Sequence, residues 1–311
     1  MSVMELYEKR GNYTARDWLE LWAISARVFA LPWVVLYTLF GGLLVGVSNW
    51  VTMGIGMLIV ALVTMSGHFI NNFRDVELGI DKFVDSPERA KKTISTIKPY
   101  TAASWLVPLR ITSIQFQKFN AIILALIAFI LQCLFMPLRT WPAFIIGFTA
   151  ALTYTDFFKR RHIGEVTAFL GHGFSTILYG VLSQSPDFLY GLVATIPAGL
   201  LSSFAYSVDQ FIDIKTDFVY RVRSVYESWF NSKMPLGLYV IVVLWAFIMV
   251  VIAWVAAGIY PKGTLLIMAV IPLILYYAPM LDWDRENGLQ KMAAIATFLI
   301  PGLFCLGAIL P

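Results

Sequence analysis

Apolar runs of about 20 residues recur from one end of this chain to the other, and they decide what it can fold into. As a helix, a run of that length matches the hydrocarbon core of a bilayer and satisfies its own backbone where water is absent. Nine segments of the 311 residues qualify: 28–47, 51–73, 119–138, 141–157, 164–184, 188–208, 236–258, 263–281 and 290–310. Composition agrees, since only 14% of residues are charged against about 25% in soluble domains. Ordinary cytosolic enzymes, disordered chains and disulfide-stapled secreted domains are excluded. The expectation is one all-α unit over residues 1–311, a polytopic membrane protein with nine transmembrane helices around a central cleft facing the cytoplasm. Cys133 and Cys305 lie inside apolar runs and are expected to be small buried hydrophobes. The first 23 residues are polar, so no cleavable signal peptide is expected.

Charge sets the orientation. With nine spans, 21 of the 23 lysines and arginines fall on the N-terminal side of the membrane, and only Arg139 and Lys262 on the other. The positive-inside rule then puts the N-terminus in the cytoplasm and the C-terminus outside. The acids follow the same asymmetry, because all 19 except Asp187 are cytoplasmic. Chemistry is therefore expected at the cytoplasmic end. The net charge of +4 gives no reason to expect a nucleic-acid partner.

Two acidic stretches stand out. SGHFINNFRDVELGIDK ends the second apolar run, with Asn71 and Asp75 four residues apart on one helical face. Gly79 can stop that helix, leaving Asp81 in the loop beyond. AYSVDQFIDIKTD ends the sixth run, where Asp209, Asp213 and Asp217 repeat every fourth residue. Like charges at that spacing destabilise a helix, and near a membrane they also lose hydration. A hard cation would relieve both costs, and magnesium fits where a phosphate supplies the remaining oxygens. The two stretches end parallel helices four spans apart, the arrangement an internal duplication produces.

Basic residues stand close by: Arg110 before the third run, Lys159 to Arg161 in the loop after the fourth, and Arg221 and Arg223 after the second acidic row. Acids and bases around one cleft suit a metal-bridged diphosphate. Glu165, His68 and His172 are further polar groups within or beside the apolar runs. Gly41, Gly42, Gly171 and Gly173 fit close helix contacts, or gaps that admit a lipid chain.

The ordered set of motifs resembles the UbiA family of intramembrane prenyltransferases. NNFRDVELGIDK is similar to that family's first aspartate-rich motif, in the N-D-Y-x-D-x-x-x-G-x-D form of the 1,4-dihydroxy-2-naphthoate polyprenyltransferase branch, with Asn71, Asp75, Gly79 and Asp81 matching. VDQFIDIKTD resembles the second motif, with Asp213 and Asp217 on its acids and Asp209 in place of its first Asn. Between them, TYTDFFKRRHIGEVTAFLGHG resembles a Y-T-x-P-P-x-R-L-K-Y-R-G-L-G-E-V segment through Tyr154, Thr155, Lys159, Arg161, Gly164, Glu165 and Val166. Asp156 and Phe157 replace the Pro-Pro pair, and the basic run after the second motif is absent.

The resemblance implies magnesium-dependent transfer of a polyprenyl group from its diphosphate to an aromatic acceptor in the membrane, 1,4-dihydroxy-2-naphthoate first among them. Asn71, Asp75, Asp81, Asp209, Asp213 and Asp217 would hold two Mg²⁺ ions. Lys159, Arg161, Arg110 and Arg221 would bind the diphosphate. Asp75, Asp213, Tyr154 and Lys159 would carry catalysis. A hydroxybenzoate, a geranylgeranylglyceryl phosphate ether lipid, haem or a carotenoid remains open as acceptor. An ion-coupled transporter is the alternative of another class, but it would need polar residues through the membrane.

Overall fold

The computed structural model describes residues 3–95, 102–213 and 234–310, without the side chains of 208–213, 285–286 and 289–290. All regular structure among the described residues is helical. Short helices α1 (Val3–Glu8) and α2 (Ala15–Ser25) precede α3 (Leu31–Leu44) and the 28-residue α4 (Trp50–Glu77). Helices α5 (Pro87–Ile94) and α6 (Ala102–Trp105) lead to α7 (Ile114–Phe135) and α8 (Trp141–Thr153). One span combines α9 (Gly164–Ala168), a π-helical turn and α10 (Ser175–Gln184), and the next combines α11 (Phe188–Ala194) and α12 (Ile196–Asp213). The last ones are α13 (Leu236–Ala256), α14 (Ile271–Tyr277), α15 (Met280–Trp283), α16 (Arg285–Ala294) and α17 (Ile300–Ile309).

Seven helical stretches among the described residues are long and apolar enough to cross a bilayer, and a pair formed by Ala15–Ser25 and Val28–Leu44, bent by 46°, makes an eighth. This is fewer than the nine expected. The difference lies at 141–157. There α8 has 13 residues and then passes into a π-helical turn at Tyr154–Phe158, so no single α-helix of spanning length forms. The first run also differs, because Arg27 takes a left-handed conformation (φ 49°) that separates α2 from the helix beyond.

Two apolar clusters fill the bundle. One gathers α3, α13 and α17 around Tyr37, Phe40, Phe247 and Phe304. The other gathers α4, α7, α8 and α10 around Ile59, Phe69, Ala121 and Leu178. A third, smaller cluster joins α1, α2, α5 and the segment after α6 through Leu6, Leu21, Ile94 and Leu106. The outer face of α7 leaves Phe119, Ile122, Leu126 and Leu134 more than half exposed. Water would not tolerate such a stripe but lipid would, and the chain is an integral membrane protein. Cys305 is buried as expected, whereas Cys133 is exposed on α7, its apolar run facing outward there.

Helices α3 and α10 approach backbone to backbone. A Cβ on Gly180 would lie 2.0 Å from the Thr38 carbonyl oxygen, and one on Gly41 would lie 2.3 Å from that of Ile177. Glycine is required there by contact rather than by a gap for lipid. We expect Gly180→Leu to lower stability by at least about 1–3 kcal/mol, the usual cost of overpacking. Thermal unfolding in detergent checks this, with Gly302→Leu as control, since nothing lies within 4 Å of a Cβ there.

Candidate active site

The cytoplasmic end of α4 is shaped by its stop signal. The helix ends at Glu77, and Gly79 follows with a φ of +71° that only glycine adopts freely. The chain reverses, and the Asp81 amide donates to the Asp75 carbonyl oxygen at 3.0 Å. The loop acid is thereby tied to the helix acid.

Across from it stands the π-helical turn Tyr154–Phe158, followed by a tight turn over Lys159–Arg161. Two contacts one helical turn apart join these elements. Thr155 Oγ1 donates to Asn71 Oδ1 at 2.9 Å, and Lys159 Nζ donates to Asp75 Oδ2 at 2.9 Å. Asn71 and Asp75 are four residues apart, as are Thr155 and Lys159, so the two motifs run in register. A third link lies beside them: the Arg74 guanidinium grips the Asp156 carboxylate, its Nε 3.1 Å from both oxygens. Arg74 also holds Glu77, which pairs in turn with Lys118.

Asp75 and Lys159 are only 2% and 4% exposed, so this is a buried ion pair. Desolvation makes such a pair costly and leaves both members dependent on each other. The second carboxylate oxygen, Asp75 Oδ1, is buried without a hydrogen-bond partner. An orphaned anionic oxygen at the wall of a cavity suits a cation or a donor on a ligand.

That cavity measures about 880 Å³. Asn71, Asp75, Asp81, Tyr154 and Lys159 all line it, as the sequence motifs suggest. Tyr154 donates to the Tyr206 hydroxyl at 3.1 Å, with the two rings edge to face. Gly164 makes room for this pair, because a Cβ there would meet the Tyr206 hydroxyl at 2.0 Å. Glu165 is fixed on α12: its carboxylate accepts from Ser207 and its carbonyl from Ser203. It thus anchors the end of the helix that carries Asp209 and Asp213.

Other expected residues fall elsewhere. Arg161 is exposed and does not line the cavity; its guanidinium sits 3.9 Å from the Phe157 ring centre and donates to the Phe157 carbonyl. Arg110 does not line it either, but lies over the outer ring of Phe83, which does. Asp209 and Asp213 belong to the last residues of α12, and their side chains lie outside the described residues, as do Asp217 and Arg221 entirely. Among the described residues no three His, Cys, Asp or Glu converge to hold an ion alone. Sequence reasoning passed over Lys82, Arg89 and Lys92, which line the cavity in place of the two displaced arginines. The amphipathic pattern of α5 is their signal: Ala90 and Ile94 are buried, while Arg89 and Lys92, three residues apart, face the cavity.

No protein-family model matches this chain, and no curated protein sequence matches it. Among solved structures it is similar to one described as giving structural and mechanistic insights into the biosynthesis of digeranylgeranylglyceryl phosphate synthase in membranes. The TM-score is 0.56 at 17% identity, with 94% of this chain and 98% of that chain covered. A likeness at this identity is one of fold.

We expect Lys159→Met to destabilise the protein by about 3–5 kcal/mol, because it strands a buried carboxylate. Pairing it with Asp75→Asn should restore most of that loss. Denaturant unfolding of both variants in mild detergent measures the difference. Equal instability of the single and double variants would contradict the pair.

Proposed function

We propose that this protein is a prenyltransferase of the UbiA type. In this reading it moves a polyprenyl group from its diphosphate to an acceptor within the membrane. The observation that carries the reading is the cavity that joins an apolar bundle to Asn71, Asp75, Asp81 and Lys159. Its fold likeness to a membrane prenyl-lipid synthase supports the same reading. The nine apolar segments would then cross the bilayer, with the N-terminus and cleft cytoplasmic and the C-terminus outside.

The residues present fit magnesium. Asp75 Oδ1 is buried and unpartnered, and Asn71, Asp75 and Asp81 line the same cavity. Asn71, Asp75 and Asp81 would hold one ion and Asp209, Asp213 and Asp217 a second. When bound, the metal would neutralise the diphosphate as it leaves. Lys159, with Lys82, Arg89 and Lys92 at the mouth, supplies further positive charge for the same oxygens. The protein's own part is then to keep water away from an allylic cation. Ile59, Val60, Val63, Phe144 and Phe148 make the inner wall apolar. Tyr154 stands at the boundary of the two regions with its hydroxyl held by Tyr206, and an aromatic ring at that boundary suits a developing cation.

The sequence motifs favour an aromatic acceptor, 1,4-dihydroxy-2-naphthoate. The solved neighbour favours a second reading, a glyceryl phosphate lipid. Purified protein with labelled geranylgeranyl diphosphate, magnesium and both acceptors distinguishes them by product. We expect activity to vanish on chelation and to fall at least about a hundredfold in Asp75→Ala and Asp213→Ala, the scale of a lost electrostatic stabiliser. Full activity in either variant would sink the reading.

A further inference from the structure

The cavity follows one edge of α4. Ile59, Val63, Gly67, Asn71 and Asp75 all line it, and they recur at every fourth residue. Residues at that spacing form one row along a helix, so the cavity is an elongated slot. Sixteen residues separate Ile59 from Asp75, about 24 Å at 1.5 Å per residue. The row is charged at its Asp75 end and carries no polar side chain from Ile59 to Gly67.

The far end of the slot meets Tyr179, a buried residue of α10 that also lines the cavity. Its ring lies against α4 at Gly56, three residues before Ile59. A Cβ on Gly56 would come 3.1 Å from Tyr179 Cε1 and 3.4 Å from the Met136 methyl. Met136 packs in the same apolar cluster as Tyr179 but does not line the cavity. The ring is tethered as well. Its hydroxyl donates to Gln132 Oε1 on α7, and Gln132 Nε2 donates to Thr140 Oγ1 at 2.8 Å. All three side chains are buried. A phenol that swung aside would strand the Gln132 amide in an apolar interior, which is unfavourable. The ring is therefore a fixed end wall and not a gate.

We propose that Tyr179 sets the length of the prenyl chain this protein accepts, at about four to five isoprene units from the diphosphate. The proposal deepens the transferase reading and rests on it, because the diphosphate is placed at Asp75 and Lys159. An extended main chain advances about 1.2 Å per bond, so an isoprene unit of four bonds needs about 5 Å. The slot between Asp75 and Ile59 then holds about four to five units, and the last of them abuts the Tyr179 ring. The surplus units of a longer chain would have to displace that ring or leave the slot sideways into lipid.

Calorimetric titration of the full chain in detergent, with magnesium and no acceptor, tests it. The probes are the farnesyl, geranylgeranyl, farnesylgeranyl, hexaprenyl and solanesyl diphosphates, a ladder from three isoprene units to nine. Affinity should rise at least about tenfold from farnesyl to geranylgeranyl, since a whole unit of apolar surface is buried. It should fall at least about tenfold from farnesylgeranyl to hexaprenyl, the scale of forcing surplus carbon into a packed site. Tyr179→Ala frees room for about one more unit, so hexaprenyl should then bind as well as geranylgeranyl while solanesyl stays weak. Tyr179→Phe keeps the ring and should leave the fall where it is. If Tyr179→Ala does not fold, Tyr179→Leu replaces it. Affinity that keeps rising to solanesyl overturns the proposal, because the chain then leaves the slot sideways. A folded Tyr179→Ala or Tyr179→Leu with an unchanged ladder also overturns it. Transfer from all five donors at equal rates removes the end wall and leaves the transferase reading standing. A ladder that breaks after five units without transfer to any acceptor does the reverse, and no binding of any probe removes both.

Discussion

The Asp75–Lys159 ion pair is the contact on which the rest of the site depends. Two charges taken out of water together gain little net stability, and each becomes a liability if the other leaves. Such a pair is kept in place only where neighbouring contacts fix its geometry. Here Asn71–Thr155 lies one turn along on the same two elements, and Arg74–Asp156 lies alongside. Together they fasten the end of α4 to the turn that follows α8. They also settle which carboxylate oxygen is spent on the protein, Oδ2, and which stays open to the cavity, Oδ1.

Polarity is graded along the cavity that results. Exposed lysines and arginines stand at its mouth, the buried pair forms its shoulder, and aliphatic and aromatic side chains line the interior. Arg27 lines it as well. An isoprenoid diphosphate has one charged end and one long apolar tail, which matches the mouth, shoulder and inner wall.

Much of this was legible in the sequence, for definite reasons. Apolar run length reports bilayer crossing because a helix must satisfy its own backbone in lipid. The four-residue spacing of Asn71 and Asp75 reports a shared face because the helical period is 3.6. Gly79 marked the helix end because few other residues take a positive φ. Where the reading failed, the controlling interaction was tertiary. Arg161 and Arg110 have the right charge and the right loops, but each settles on a nearby ring, Phe157 or Phe83. Arg27 carried no motif, and its place at the cavity follows from a 46° bend and its own left-handed backbone. The shortened α8 was hidden because a π-helical turn has no apolar signature of its own.

Asp156 and Phe157 stand where the segment this loop resembles has a Pro-Pro pair. Proline stiffens a turn by fixing φ, and this chain lacks that device. It holds the turn by charge instead, since Asp156 is gripped by Arg74, the neighbour of Asp75. Phe157 is occupied as well, packed under Arg161. The same turn therefore carries a tether to α4 at Asp156 and delivers Lys159 three residues later. A departure that costs backbone rigidity is compensated by an ion pair anchored on the acidic motif itself. The two motifs then hold each other, so a change in either one is felt as a shift of Lys159 against Asp75.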